Sequence, residues 1–163
     1  MQGITIRSLL VAFCVLIAST AAVRADGSGG DGGGDNKTET EAQTEAKLLG
    51  AGAQTAAKGY AESTVITITD KTTNTTTTSS CLTVSVKGLT LADASVVTIQ
   101  LNNTTIGTGT VKSGRASLRL SSKKGGTVPT VAAGDTLTVL DPVGTNVVDL
   151  TGTFGPITTH SGN

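Results

Sequence analysis

The feature of this sequence that most limits what it can fold into is a set of short segments in which apolar and polar residues alternate. In the clearest one, Val97, Ile99 and Leu101 are each followed by a polar residue, a period of two that is typical of a half-buried β-strand. Asn102-Asn103 comes next, and asparagine tolerates the positive φ angles that a two-residue hairpin turn requires. This turn predicts a return strand in which Ile106 lies opposite Ile99, so that both side chains point into the core.

Segments of the same kind recur along the chain, and stretches rich in Gly, Pro or Thr separate them. Further strands are predicted at residues 47–52, 59–69, 82–87, 116–120, 136–140 and 148–154. The Thr-rich stretch 70–80 is predicted to be a polar loop, because such loops connect hairpin strands and bury little. About seven or eight short strands, with turn signals roughly every 8–12 residues, predict an all-β fold in the form of a small antiparallel β-sandwich, with a small barrel as the alternative.

The N-terminal segment has the pattern of a secretory signal peptide. Arg7 precedes an apolar run of about nine residues, and Val23-Arg24-Ala25 resembles a cleavage site. The run is shorter than the roughly 20 residues that span a bilayer, although an uncleaved anchor remains the alternative. We therefore expect a secreted or periplasmic protein with no membrane span after cleavage. The expected organisation is a signal peptide at 1–25, a flexible Gly/Asp/Thr/Glu-rich linker at 26–44, a β-domain at 45–157 and a disordered tail at 158–163.

Composition argues against several classes of function. Without residues 1–25 the chain keeps ten Lys and Arg against twelve Asp and Glu, a net charge of −2, which disfavours a nucleic-acid binder. The only histidine, His160, lies in the expected tail, where it could not be held against a nucleophile. Asp135, Asp141 and Asp149 cluster late in the chain and could approach a Ca²⁺ ion, but turn chemistry by itself explains Asp141, which disfavours that site. We expect no enzyme activity, no cofactor and no metal.

Two groups of residues remain as candidates for binding. Arg115 and Arg119 share one face of a predicted strand, with Lys112, Lys123 and Lys124 at its ends, and such a face could bind an anionic glycan or an acidic protein. The alternative is a solvated strand face or a charged edge that deters aggregation. Cys81 is the one cysteine left after cleavage. It could form an intermolecular disulfide, or be a thiol covered by its surroundings.

Several short motifs occur together in this chain, namely Leu82-x-Val-x-Val-x-Gly-Leu89, the Asn102-Asn103 hairpin, Val128-Pro-x-Val-x-x-Gly-Asp-x-Leu-x-Val139 and Leu150-x-Gly-x-Phe154. In this combination the chain resembles β-rich domains of exported bacterial proteins, over roughly residues 47–154. An immunoglobulin- or fibronectin-like sandwich is the competing generic interpretation. The resemblance implies a fold and carries no catalytic or binding residues.

These observations predict an exported, non-catalytic structural or protein-interaction domain of the cell envelope or extracellular space. The alternative function is a binding module for an anionic glycan or acidic partner at the Arg115/Arg119 face. The expected partners are envelope or extracellular proteins or glycans, together with weak self-association.

Overall fold

The computed structural model describes residues 36–141 and 148–162. The predicted signal peptide and the linker residues 26–35 lie outside the described residues. The described residues form nine strands: β1 (Lys37–Gly50), β2 (Lys58–Asp70), β3 (Thr75–Lys87), β4 (Val96–Leu101), β5 (Thr104–Thr110), β6 (Arg115–Ser121), β7 (Thr136–Leu140), β8 (Val148–Thr153) and β9 (Thr158–Gly162). Three-residue 3-10 helices occur at Gly52–Gln54 and Ser122–Lys124. Within these two ranges no helix has the length and apolar character to cross a membrane.

Hydrogen bonds link the strands into one antiparallel sheet. Its order is β5-β4-β7-β8-β1-β2-β3-β6, and β9 pairs with β1 off this path. The predicted all-β class is confirmed. The strands are not divided between two sheets as in a sandwich, because the pairing runs unbroken from β5 to β6 and the sheet nearly closes on itself.

The core lies inside this curved sheet and consists mainly of aliphatic side chains that alternate along the strands as predicted. Its largest fully buried side chains are the aromatic Phe154 and the aliphatic residues Leu48, Leu82, Val84, Val97, Ile99, Val111, Leu137, Val139 and Leu150. Burying side chains of this size stabilises the fold by about 1.5–3 kcal/mol each. The polar residues between them therefore form the outer face of the sheet.

The β4–β5 hairpin is confirmed at its turn, but the register predicted beyond the turn is wrong. Asn102 and Asn103 have φ angles of 48° and 64°, as a two-residue turn requires. A bulge then places Ile99 opposite Gly107 instead of Ile106. The extra residue turns Gly107 and Gly109 toward the inside of the sheet, because side chains alternate between the two faces of a strand.

This change of register explains how the two ends of the sheet approach each other. A Cβ atom on Gly107 would lie 2.8 Å from Leu118 Cδ1 of β6, and one on Gly109 would lie 3.2 Å from the Ser117 carbonyl oxygen. Larger residues at these two positions would push β5 away from β6. The glycines therefore permit the close packing that nearly completes the sheet.

The Thr-rich stretch predicted as a loop forms half of a strand instead. β2 continues to Asp70, and β3 begins at Thr75 directly opposite it. Between them is a tight turn, in which the Asp70 Oδ1 accepts hydrogen bonds from the amides of Thr72 and Thr73 at 2.9 and 3.2 Å. Threonine is β-branched and fits an extended strand, so a polar stretch of threonines need not be a loop.

The ends of the β-domain also differ from the predicted boundaries. Residues 37–44, expected as linker, form the first part of β1, and residues 158–162, expected as a disordered tail, form β9. β9 pairs with β1 from Gln43 opposite Thr158 to Glu39 opposite Gly162. We use the name distal ribbon for residues 37–43, 64–70, 75–81 and 158–162, which extend the sheet beyond its core. Backbone pairing can hold such polar segments without apolar burial, and a reading of hydrophobic pattern does not detect this.

Candidate functional site

Four cationic side chains lie next to one another at the end of the sheet opposite the tip of the distal ribbon. Lys58 is the first residue of β2, Lys87 the last of β3 and Arg115 the first of β6. The register pairs Lys58 with Lys87 and Lys87 with Arg115, and Lys112 pairs with Arg115 in an isolated bridge. Directly opposite residues of antiparallel strands share a face, with Cα atoms about 4.5–5.5 Å apart. All four side chains are exposed, and we call them the basic row.

Local backbone geometry fixes the basic row in place. Ser113 and Gly114 have φ angles of 50° and 68°, so they form a two-residue hairpin turn between Lys112 and Arg115. The amide of Lys112 donates to the Arg115 carbonyl at 2.8 Å, and the Arg115 amide donates back to the Lys112 carbonyl at 3.1 Å. Gly88, with φ of 78°, turns the chain immediately after Lys87. The cations therefore sit on short, hydrogen-bonded backbone and not on long loops.

An open cleft of about 740 Å³ adjoins the basic row. Its lining includes Lys58, Lys87 and Arg115, with Ser113 and the backbone of the two glycines of the turns beside them. The carboxylate of Asp93 approaches this lining, where its Oδ1 accepts a hydrogen bond from the Ser113 amide at 2.7 Å. That carboxylate stabilises the turn. The cleft as a whole presents three cations to solvent.

The predicted cationic face is only partly brought together. Lys112 and Arg115 belong to the basic row, whereas Arg119 lies four residues further along β6, about 13 Å away, opposite Thr83. Lys123 is exposed on the 3-10 helix beyond the other end of β6, and nothing is described of the Lys124 side chain.

Sequence reasoning missed Lys58 and Lys87. A symmetric hairpin around residues 71–74 would have placed them opposite each other. The sequence pattern does not indicate this pairing, because it predicts a loop for the threonines that continue the hairpin. The missed pair doubles the number of cations in the row that contains Arg115.

Two glutamates, Glu45 and Glu62, lie side by side farther along the same outer face, and we call them the acidic row. Glu45 lies opposite Glu62, and Glu62 lies opposite Thr83. The Glu62 side chain is only 3% exposed, its Oε1 accepts a hydrogen bond from Thr64 Oγ1 at 3.2 Å, and its Oε2 has no hydrogen-bond partner. Burial raises the pKa of Glu62, the Thr64 hydrogen bond opposes this, and the charges of Glu45 and Glu41 raise it further. This row is therefore an electrostatically strained part of the fold.

Cys81 lies on the outer face of the sheet, opposite Thr64 of β2 and Ser121 of β6. The thiol is half-buried, and its Sγ atom is 3.8 Å from Thr83 Oγ1. β2 and β6 flank Cys81 on its two sides, so it lies within the sheet, two residues from the open part of β3. An intermolecular disulfide at this position stays a prediction.

Of the three aspartates considered for Ca²⁺ binding, Asp135 stabilises a turn, whereas Asp149 is buried within electrostatic range of Asp141. Asp135 accepts hydrogen bonds from the Ala132 amide at 2.7 Å and from Asn102 Nδ2 at 2.8 Å, and these bonds lower its pKa. Asp149 is 2% exposed, with an Oδ2 atom that has no partner, and burial followed by the charge of Asp141 raises its pKa. Within 36–141 and 148–162, no group of three or more His, Cys, Asp or Glu residues is placed to hold a metal ion.

His160, the only histidine of the chain, lies in β9 opposite Glu41 and is exposed. It is therefore part of a paired strand, although it was expected in a disordered tail.

Comparison with models of known protein families and with curated proteins found no match.

Proposed function

We propose that this chain is a non-catalytic binding domain that takes an anionic polymer at the basic row. The observation that carries the proposal is the register itself, which sets four cations side by side across three strands and an adjoining turn. Like charges placed directly opposite each other on neighbouring strands destabilise a sheet. An anion at this position would relieve that repulsion.

The surroundings favour an anionic group that approaches from solvent. The next positions of the same face are Lys47, Tyr60, Ser85 and Ser117, none of them acidic. The acidic row that contains Glu62 begins four residues from Lys58, about 13 Å along the strand. The end of the outer face that carries the basic row is therefore positively charged. An extended polyanion can bind there by lying across the strands, along the basic row.

We also propose, from the N-terminal sequence pattern, that this binding occurs outside the cytoplasm. A secretory signal followed by a Gly-rich linker would deliver the domain to the periplasm or the extracellular space. Sulfated or carboxylated glycans are the anionic polymers that such a domain would encounter there, and an acidic protein surface is the alternative.

The test is binding of heparin, with polyglutamate as a second polyanion, by isothermal titration calorimetry. The triple variant Lys58→Gln, Lys87→Gln, Arg115→Gln is compared with Lys37→Gln, Lys71→Gln, Lys123→Gln, which removes the same charge from exposed positions elsewhere. We expect the first variant to bind at least about tenfold more weakly than the unmodified protein, which corresponds to about 1.4 kcal/mol. The control should change affinity much less.

Salt provides the second readout. Raising the ionic strength from about 0.01 M to about 0.15 M shortens the Debye length from roughly 30 Å to roughly 8 Å, so binding should weaken steeply. Equal losses in the two triple variants, or binding that does not respond to salt, would refute a specific basic-row site.

A structural role is the second candidate function, and the open edges of the distal ribbon favour it. Among the described strands, β9 has no neighbour on the side away from β1, and the first five residues of β3 have none on the side away from β2. Unpaired strand edges are templates for pairing with other chains. A monomer that binds no component of cell-envelope fractions would argue against this role.

A further inference from the structure

We propose that the free edge of β3 at Thr75–Ser79 pairs with the same edge of a second copy of this chain, on a two-fold axis at Thr77. The proposal goes beyond anion binding, because it uses the opposite end of the sheet and none of the basic row. It assigns the expected self-association to one strand and one register.

The edge is open over a defined length. β3 pairs with β2 along all of its residues, but β6 covers β3 only from Cys81 to Lys87. Residues 75–78 are exposed, and no described strand pairs with them on the side away from β2. At Ser80 the edge is closed again, because the Ser80 amide donates to Ser122 Oγ at 2.8 Å.

The hydrogen bond at Ser80 reveals which backbone groups of the edge point outward. The amide of Ser80 faces the side on which β6 lies, and backbone groups alternate direction along an antiparallel strand. The amides and carbonyls of Thr78 and Thr76 therefore point the same way, toward solvent. Thr77 directs its backbone groups at β2.

These directions favour one register for two copies. With a two-fold axis at Thr77, Thr76 of one copy lies opposite Thr78 of the other, and each such pair exchanges two backbone hydrogen bonds. The arrangement thus forms four hydrogen bonds and places the two Thr77 residues opposite each other as a non-hydrogen-bonded pair. Shifting the axis to Thr78 would require Ser80, whose amide is already bonded to Ser122.

The chemistry of the edge suits a second copy. Residues 75–79 are all Thr or Ser, so the pairing brings no charges together, and they contain no proline. The β2–β3 register shows no bulge there. Lysine, proline and bulges are the devices that natural edges use against self-pairing, and all three are missing from this segment. The opposite edge of the distal ribbon already holds a strand of the same kind, since β9 is five exposed residues that include Thr158, Thr159 and Ser161.

The interface is small, because five residues a side bury far less than the roughly 1,200 Å² of a standard complex. We therefore expect a weak dimer that forms only as concentration rises. Isologous pairing closes after two copies, so no larger species should appear.

Sedimentation velocity of residues 26–163 tests the proposal. The protein concentration is raised to about 1 mM, because so small an interface should bind weakly. We expect a monomer–dimer equilibrium that Thr77→Lys abolishes, because two lysines would meet at the axis. Thr108→Lys, an exposed threonine on β5, adds the same charge and should leave the dimer intact. A monomer at all concentrations, or a dimer that survives Thr77→Lys, overturns the proposal.

Disulfide cross-linking tests the register. In a Cys81→Ser background, Thr77→Cys should oxidise to a covalent dimer much faster than Thr108→Cys, because a non-hydrogen-bonded pair has Cα atoms about 4.5 Å apart, within the range of a disulfide. Equal rates would overturn the two-fold register. Growth into long assemblies would also overturn it, because head-to-tail pairing of the β3 edge with the β9 edge does not close.

Discussion

Replacing Glu62 by glutamine should stabilise the protein, and more so at neutral pH than in acid. The carboxylate is 3% exposed, one of its oxygens has no hydrogen-bond partner, and it lies opposite Glu45. Leaving a buried polar group unsatisfied costs about 1–3 kcal/mol, and more if it is charged. Glutamine is neutral and brings an amide that can donate to Glu45. We therefore expect Glu62→Gln to raise the free energy of unfolding by about 1–3 kcal/mol at pH 8.

The pH dependence of this difference follows from the raised pKa of Glu62, whose largest cause is burial. Since the folded protein holds the proton more tightly than the unfolded chain, this residue favours folding most below its unfolded pKa. That contribution is lost as the pH rises through the folded pKa. The stability difference between Glu62→Gln and the unmodified protein should therefore grow with pH, by at most about 1.4 kcal/mol per pH unit, and then become constant.

Urea denaturation at a series of pH values measures the difference, and Glu39→Gln is the matched control. Glu39 lies on β1, on the same outer face of the sheet, and is exposed. Its replacement should therefore change the free energy of unfolding little at any pH. Subtraction of the two curves removes the contribution of other groups, among them Asp149, whose pKa is also raised. A Glu62→Gln protein that is less stable at pH 8, or a difference that does not depend on pH, would refute this account of the acidic row.

Two further predictions concern the contact between β5 and β6 and the turn of the β4–β5 hairpin. Gly109→Val should destabilise the fold by about 1–3 kcal/mol in thermal or urea unfolding, since its side chain would press on the Ser117 carbonyl, whereas Gly162→Val, with open space around it, should have little effect. If both variants unfold alike, β5 and β6 are not packed as described. Asp135→Ala should loosen the turn that holds Asn102, seen as faster amide exchange at Ala132. Because the pKa of Asp135 is lowered by its hydrogen bonds, its contribution to stability should be present above the unfolded pKa and lost as the pH falls through the folded pKa. An NMR titration that finds the Asp135 pKa unshifted would contradict this.

The core strands could be predicted because each of their side chains must face either the core or the solvent. Leu82, Val84 and Val86 alternate with polar residues, and burial fixes which face is inward. The Asn102-Asn103 turn was equally predictable, since few residues adopt positive φ. The bulge that follows was not, because no local pattern indicates it. It turns Gly107 and Gly109 toward β6, which comes from the other end of the sheet.

The candidate site was half predictable for a related reason. Lys112 and Arg115 flank a two-residue turn, so their proximity is a local property of the sequence. Lys58 and Lys87 are separated by 29 positions and meet only through the register of a long hairpin whose polar part carries no burial pattern.

The sequence by itself determined the class of this protein, since local alternation and turn residues specify strands and the direction of their faces. Only the tertiary structure decided how far the strands extend, that the sheet nearly closes, and which charges become neighbours. The physical reason is that strand pairing is non-local: it is stabilised by backbone hydrogen bonds that every residue can make. The β4–β5 hairpin shows both levels at once: its asparagines fix the turn, and a bulge beyond the turn directs Gly107 and Gly109 toward β6.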